Sequence, residues 1–195
     1  METVGLRRFT VEEYHRMAEA GILGEDDRVE LIHGVVREMS PKKRPHVLGT
    51  IVVRELFARR LAGRASVYEE KPLELRALDS EPEPDVAIYS NPDLMAYGTD
   101  RTEPLLVIEV ADSSVQYDLT VKAQLYAEGG IPEYWVVDLV NRSLVVFRDP
   151  TDGAFRSRSE HEPGDRVTPL SWPDIEIEIE ELFPPDQASS ARPSR

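Results

Sequence analysis

Three carboxylates stand inside apolar stretches of the sequence. Asp85 follows Pro84 in "EPDVAIYS", Glu109 lies within "PLLVIEVADSS", and Glu30 lies within "RVELIHG". Short runs rich in branched apolar residues are typical of buried strands. Because an unpaired charge in a buried strand is costly, each carboxylate needs a partner. These positions are therefore the first candidates for chemistry.

Strand periodicity predicts how two of these carboxylates meet. Side chains alternate between the faces of a strand, so Glu109 shares a face with Val107 and Ala111, and Asp85 shares one with Ala87. If the two strands are neighbours, Asp85 and Glu109 converge and repel each other unless a cation lies between them. Mg²⁺ suits this geometry, since one or two carboxylates hold it in proteins, and Mn²⁺ is an alternative.

Glu30 is the third candidate ligand of this metal site. The alternative is a structural role, in which a nearby arginine pairs with Glu30, and Arg28 and Arg37 are the candidates. The trio favours the metal site more than any member does alone, because Asp85 and Glu109 both replace an expected apolar residue.

The spacing of these acids resembles the PD-(D/E)XK nuclease superfamily. There, the aspartate after proline and the second acid hold Mg²⁺, and a lysine two positions later helps to position or activate the attacking water. This sequence departs from the motif, since Ala111 occupies the lysine position after Glu109.

A wider resemblance places a lysine elsewhere. The segments "RVELIHGVVREMSP", "EPDVAIYS", "PLLVIEVADSS" and "YDLTVKAQLYAEGGIPEYWVVDL" resemble, in this order and over residues 9–148, the Uma-type family of restriction endonucleases within that superfamily. In that family the lysine has moved to the helix after the glutamate strand, which implies Lys122 here. Helical spacing places Lys122 on one face with Asp118 and Tyr126. A simple i,i+4 ion pair between Asp118 and Lys122 is the alternative.

The resemblance implies a metal-dependent endonuclease that hydrolyses DNA phosphodiester bonds and works as a homodimer. Asp85, Glu109 and Lys122 would be its catalytic residues, and Glu30 would be a further ligand or would orient the attacking water. Two alternatives remain open. One is a catalytically inactive binding or assembly module, favoured by Ala111 and the net charge of −14. The other is a hydrolase of small phosphate esters.

A basic segment, residues 42–64, is the candidate DNA contact. It contains seven lysines and arginines and one acid, so its local charge is +6 in a chain of net charge −14. Phosphate contacts need such cations, although a solvated helix face explains the same pattern. His46 is a candidate for phosphate contact or proton transfer, with a surface or capping role as the alternative. The proposed contacts are Lys42, Lys43, Arg44, His46, Arg59 and Arg60.

The elements around these residues predict an α/β or α+β fold, a restriction-endonuclease-like mixed central sheet flanked by helices. Thr10 and Glu13 form a capping box that opens a helix over 11–20. A hairpin turns at His33-Gly34, a helix covers 46–61, and strands follow at "SVYEE", "PLELR" and the two acidic strands. A helix then precedes a hairpin that turns near Asn141, and "DIEIEIEE" is a late strand.

Composition limits the class of protein. The 195 residues predict a single domain over 1–183 and a disordered tail over 184–195. The sequence has no cysteine, which excludes disulfides and thiolate chemistry within it. It has no signal-like start and no apolar run of membrane-spanning length, so we expect a cytoplasmic protein.

Overall fold

The computed structural model describes residues 5–24, 26–90 and 103–185. The helices are α1 (Val11–Glu19), α2 (Arg44–Arg60), α3 (Val115–Tyr117) and α4 (Ala123–Glu128). A π-helical turn (Asp118–Lys122) joins α3 to α4, so residues 115–128 form one continuous helical segment. The strands are β1 (Val29–Ile32), β2 (Val35–Glu38), β3 (Ser66–Glu69), β4 (Val86–Tyr89), β5 (Leu106–Ala111), β6 (Glu133–Asp138), β7 (Ser143–Thr151), β8 (Ala154–His161), β9 (Arg166–Val167) and β10 (Ile177–Glu178). The connection between the two predicted acidic strands, residues 91–102, and most of the predicted tail lie outside the described residues.

The centre of the fold is a six-stranded mixed sheet. Its strand order is β3-β4-β5-β6-β7-β8, in which β5 and β6 are parallel and all other neighbours are antiparallel. The helical segment 115–128 makes the crossover that two parallel strands require. The predicted mixed central sheet flanked by helices is therefore confirmed. None of the helices in the described ranges has the length and apolarity needed to cross a membrane.

Helices cover both faces of this sheet. On one face α2 packs through Val53 and Phe57, whose ring meets Trp135 edge-on at 5.7 Å. On the other face Leu125 and Tyr126 of α4 pack against β6 and β7. Because both faces are covered, every residue of β5 is buried and the strand is apolar along its length. Glu109 is the exception to this apolar pattern.

Local signals in the sequence predicted several elements correctly. The capping box of Thr10 and Glu13 opens α1. His33 and Gly34 have φ values of +47° and +75°, as a two-residue type I′ hairpin between β1 and β2 requires. The hairpin of β6 and β7 turns at residues 139–142, which include the predicted Asn141.

Two strand predictions were wrong in existence or in length, and the edge strand β8 was not predicted. "PLELR" is not a strand, since within it Leu75 makes only an isolated bridge to Ser80 and β3 pairs with β4 instead. In "DIEIEIEE" the isoleucines are buried as predicted, but only Ile177–Glu178 pairs, because its partner β9 has two residues. The exposed edge strand β8 was missed, since it lacks alternating apolar residues.

Candidate active site

Asp85 and Glu109 converge where β4 begins and β5 approaches its end. The antiparallel register pairs Val86 with Ile108, so the residues one step further along, Asp85 and Glu109, are adjacent. The Asp85 backbone N–H donates to Glu109 Oε2 at 3.2 Å, and the Val110 N–H donates to Asp85 Oδ2 at 2.8 Å. Both residues are nearly inaccessible, at 6% and 5% exposure. The two carboxylates therefore lie next to each other, as strand periodicity predicted.

Lys122 reaches this pair from the helical segment. Its Nζ donates to Glu109 Oε1 at 3.2 Å and to Glu30 Oε2 at 2.7 Å, and the Tyr126 hydroxyl donates to Glu109 Oε1 at 2.8 Å. The methyl group of Ala111 is buried in the core beneath the segment. The ammonium of Lys122 therefore lies beside Glu109, although the residue two positions after Glu109 in the strand is an alanine.

The alternative pairings considered for Glu30 and Lys122 are not those in the structure. The ion pairs of Lys122 go to Glu30 and Glu109, whereas the Ser114 hydroxyl donates to Asp118 Oδ2 at 2.5 Å. Asp118 and Lys122 are the first and last residues of the π-helical turn, and such turns often occur at functional sites. Lys122, rather than an arginine, neutralises Glu30, and the Tyr117 hydroxyl also donates to Glu30, at 3.2 Å.

Two basic side chains, one in the first turn of α2 and one just before this helix, approach Asp85 from the other side. His46 Nε2 lies 3.0 Å from Asp85 Oδ1, and Lys42 Nζ lies 3.8 Å from the same oxygen and 2.8 Å from Glu70. The imidazole is thus directed into the site, whereas a surface or capping role would turn it to solvent or to the helix backbone.

Burial and mutual repulsion set the ionisation of these groups. Burial, reinforced by Asp85 and opposed by Lys122, raises the pKa of Glu109 to about 8. Burial would also raise the pKa of Asp85, but the contact with His46 and the Val110 N–H outweigh it and lower that pKa. Burial would lower the pKa of Lys122, but Glu109 and Glu30 outweigh it and raise that pKa. Lys122 therefore stays protonated, and Glu109 binds a proton more readily than an ordinary glutamate.

These side chains line one cavity of about 480 Å³. Its floor is acidic and its walls carry basic, hydroxyl and aromatic groups. The lining residues are Arg28, Glu30, Arg37, Glu38, Met39, Ser40, Pro41, Lys42, Lys43, His46, Glu83, Asp85, Glu109, Asp112, Ser113, Ser114, Tyr117, Asp118 and Lys122.

The candidate DNA contacts are divided between the two ends of α2. Lys42, Lys43 and His46 line the cavity. Arg60 forms a bidentate ion pair with Glu181, at 3.0 and 2.7 Å. Arg59 donates to the Glu55 carbonyl, and Arg44 is exposed but not part of the cavity wall. At 1.5 Å per residue, Arg60 lies about 20 Å along the helix from His46.

The donor set of the cavity fits a hard divalent cation. Asp85 and Glu109 present carboxylate oxygens side by side, which are the ligands that a hard divalent cation prefers. Burial and, to a smaller extent, the nearby Asp85 raise the pKa of Glu109, and a bound cation would oppose both effects. Glu30 accepts hydrogen bonds from Lys122 and Tyr117, and Glu109 accepts from Lys122 and Tyr126, so a bound cation would share these oxygens with donors of the protein.

A different group also has the geometry of three metal ligands. The ligand atoms of His15, Glu74 and Glu81 lie within 4.8 Å of one another, but none of these residues lines the cavity. His15 already contacts Glu81 at 2.6 Å, and Arg76 pairs with Glu74 at 2.5 Å. Both carboxylates of this group are therefore compensated by protein side chains.

Two contacts of the site have no signal in the sequence. Tyr117 was not singled out, because one aromatic residue at the start of a helix has no distinctive pattern. The contact of His46 with Asp85 joins residues from separate elements. The polar residues Asp118, Lys122 and Tyr126, spaced four apart after the Glu109 strand, were the sequence signal that indicated this part of the site.

Comparisons with known proteins agree with this fold and spacing. Residues 11–180 match the Uma2 family, whose description is "Putative restriction endonuclease". The chain belongs to this family, which confirms the resemblance found in the sequence. No curated protein matches the chain.

A solved structure has a similar fold. It is described as that of "a putative nuclease belonging to DUF820" from Anabaena variabilis, and the two chains are 16% identical. The TM-score is 0.71, and the match covers 90% of this chain and 97% of the other. At this identity the match establishes the shared fold.

Proposed function

We propose that this protein is a divalent-metal-dependent nuclease that hydrolyses DNA phosphodiester bonds. The observation that carries the proposal is the convergence of buried Asp85 and Glu109 with Lys122, which restores an ammonium to the site from the helical segment. Membership of a family of restriction-endonuclease type supports the same reaction class. The alternative of an inactive module was favoured by Ala111 and by the net charge of −14, and the ammonium of Lys122 beside Glu109 weakens the first of these two grounds.

In this proposal Asp85 and Glu109 hold Mg²⁺, with Mn²⁺ as a substitute. The ion, when bound, lowers the pKa of water and neutralises charge that develops on the phosphate. Lys122 donates hydrogen bonds to the attacking water and to the phosphate oxygens. Glu30 positions Lys122, since its two oxygens accept from Lys122 and Tyr117.

His46 and Lys42 both approach the Oδ1 oxygen of Asp85. Their contacts with Asp85 lower the pKa of this carboxyl, and both side chains line the cavity where the phosphate would enter. Lys43, on the same wall, supplies a phosphate contact that adds affinity without sequence specificity.

The test is cleavage of a fluorescent DNA oligonucleotide and of plasmid DNA with Mg²⁺ or Mn²⁺. We expect Asp85→Asn and Glu109→Gln each to abolish cleavage while the proteins remain folded by circular dichroism. Glu81→Gln is the matched control, because Glu81 is a buried carboxylate outside the cavity and should leave cleavage unchanged. Cleavage that persists in both Asp85→Asn and Glu109→Gln would sink the proposal.

The homodimer also belongs to this proposal. The family resemblance implies it, and two sites, one in each copy, would allow both strands of a DNA to be cut. Light scattering after gel filtration measures the mass directly, and a mass near 22.1 kDa at micromolar concentration would contradict a stable dimer.

A further inference from the structure

An aromatic ring and a guanidinium group form a stack on the cavity wall. The Arg37 guanidinium carbon lies 5.4 Å from the centroid of the Tyr117 ring, and both residues line the cavity. The Tyr117 hydroxyl donates to Glu30, which in turn holds Lys122. The ring is therefore fixed in place beside the group that acts on the phosphate.

The β1–β2 hairpin provides further cations on the same wall. Arg37 is the cross-strand partner of Glu30, and the period of a strand places Arg28 on the same face as Glu30. Lys43 follows the hairpin and also lines the cavity. Within the described ranges, Arg28, Arg37 and Lys43 form no ion pair with a carboxylate, whereas Lys42 pairs with Glu70. The first three are therefore available for phosphate groups.

The depth of the site limits what can enter it. Asp85 and Glu109 are 6% and 5% exposed at the floor of a cavity of about 480 Å³. Pockets of about 300–1,000 Å³ take one small-molecule ligand, which is the size class of a single nucleotide. A base in a duplex is stacked and paired, so a base can enter a pocket of this kind only from a single strand or after it has left the stack.

We propose that Tyr117 and Arg37 form a stacking platform for an unpaired base next to the scissile phosphate, so that the substrate class of this site is single-stranded or locally unpaired DNA. The proposal rests on the nuclease function proposed above. Arg28 and Lys43 contact the flanking phosphates. Sites for single strands combine basic groups with aromatic side chains in this way.

The experiment measures binding rather than cleavage. Fluorescence anisotropy compares a labelled single-stranded oligonucleotide with a blunt hairpin duplex of the same sequence, with Ca²⁺ in place of Mg²⁺ and with intact DNA verified on a gel. We expect wild-type protein to bind the single strand more tightly. Tyr117→Leu should weaken single-strand binding roughly 5- to 150-fold, the range for loss of one stacked base, and change duplex binding less.

Two further variants separate stacking from general effects. Tyr117→Phe keeps the ring and loses the bond to Glu30, so it should retain single-strand affinity within about threefold. Arg37→Ala should lower single-strand affinity more than Arg156→Ala, which removes an exposed arginine of β8 that does not line the cavity. Because Arg37 is exposed, this pair provides the same readout if Tyr117→Leu does not fold.

The outcomes distinguish this inference from the proposed function. The platform is refuted if Tyr117→Leu binds the single strand like wild type, or if it weakens single-strand and duplex binding equally. The nuclease proposal fails separately, through cleavage that persists in Asp85→Asn and Glu109→Gln. Selective loss of single-strand binding in Tyr117→Leu, with retention in Tyr117→Phe, supports the platform.

Discussion

Replacing Lys122 by methionine tests the electrostatic design of the site directly. The substitution keeps an unbranched apolar stem and removes the ammonium that lies 2.7 Å from Glu30 and 3.2 Å from Glu109. All three residues are 5% exposed, so the two carboxylates would stay buried without their shared cation. Breaking a buried pair in this way costs about 3–5 kcal/mol. We expect a loss of this size in the free energy of unfolding at pH 8.5.

The same variant should lose less stability at pH 6. The pKa of Glu109 is raised from its usual 4.5 to about 8, so between these values the folded state binds a proton that the unfolded state does not. The protonated form contributes stability that is present below pH 4.5 and is lost as the pH rises through about 8. Without Lys122 the pKa of Glu109 rises further, and protonation at pH 6 removes part of the unpaired charge.

Thermal unfolding followed by circular dichroism provides the measurement. For a chain of this size a loss of 3–5 kcal/mol lowers the midpoint by about 6–20 °C. Lys43→Met is the matched control, because Lys43 is exposed on the same cavity wall and should change stability by less than about 0.5 kcal/mol. The reasoning is refuted if Lys122→Met stays within 1 kcal/mol (about one third of the smallest expected loss) of wild type at both pH values.

Three other predictions follow from the described contacts. Mg²⁺ should raise the thermal midpoint more at pH 8.5 than at pH 6, because at the lower pH it must displace the proton on Glu109, and equal shifts would contradict this account. Gly49→Ala should lower the free energy of unfolding in denaturant by about 1–3 kcal/mol, because its new methyl group would lie 2.8 Å from a side chain of β5. Gly5→Ala is the control and should leave this free energy unchanged, because its methyl group would meet nothing within 4 Å. Arg60→Ala should leave unchanged the slope of log DNA affinity against log salt concentration, whereas Lys43→Ala should reduce this slope by about one unit. A reduced slope in Arg60→Ala would instead show that DNA contacts the whole length of α2.

Sequence predicted the parts of the site that depend on one strand or one helix. Alternation within a strand is a local property, so the shared face of Val107, Glu109 and Ala111 could be derived without the fold. Helical spacing likewise placed Lys122 and Tyr126 on one side, and both contact Glu109. Register was not local: the adjacency of Asp85 and Glu109 depended on an assumption about which strands are neighbours.

Short strands and charged edges were harder to predict. The alternating "DIEIEIEE" has the pattern of a long strand, but a strand exists only where a partner supplies hydrogen bonds, and β9 supplies two residues. Strand β8 is exposed on the sheet edge, so its sequence did not need the apolar alternation that identifies a strand. Length and pairing in such segments depend on distant parts of the chain.

The sequence by itself determined which residues carry unusual charge, which face of each element they occupy, and to which family the chain is similar. Tertiary structure decided the partners: His46 with Asp85, Lys122 between Glu30 and Glu109, and the ring of Tyr117 beside them. The physical reason is that periodicity acts over a few residues, whereas a buried charge is compensated by whichever group the folded chain brings within about 3 Å. Glu109 was recognisable as an anomaly from its neighbours in the sequence, but only the folded chain brings the Lys122 ammonium and the Tyr126 hydroxyl of the next helical segment within hydrogen-bonding distance of its carboxylate.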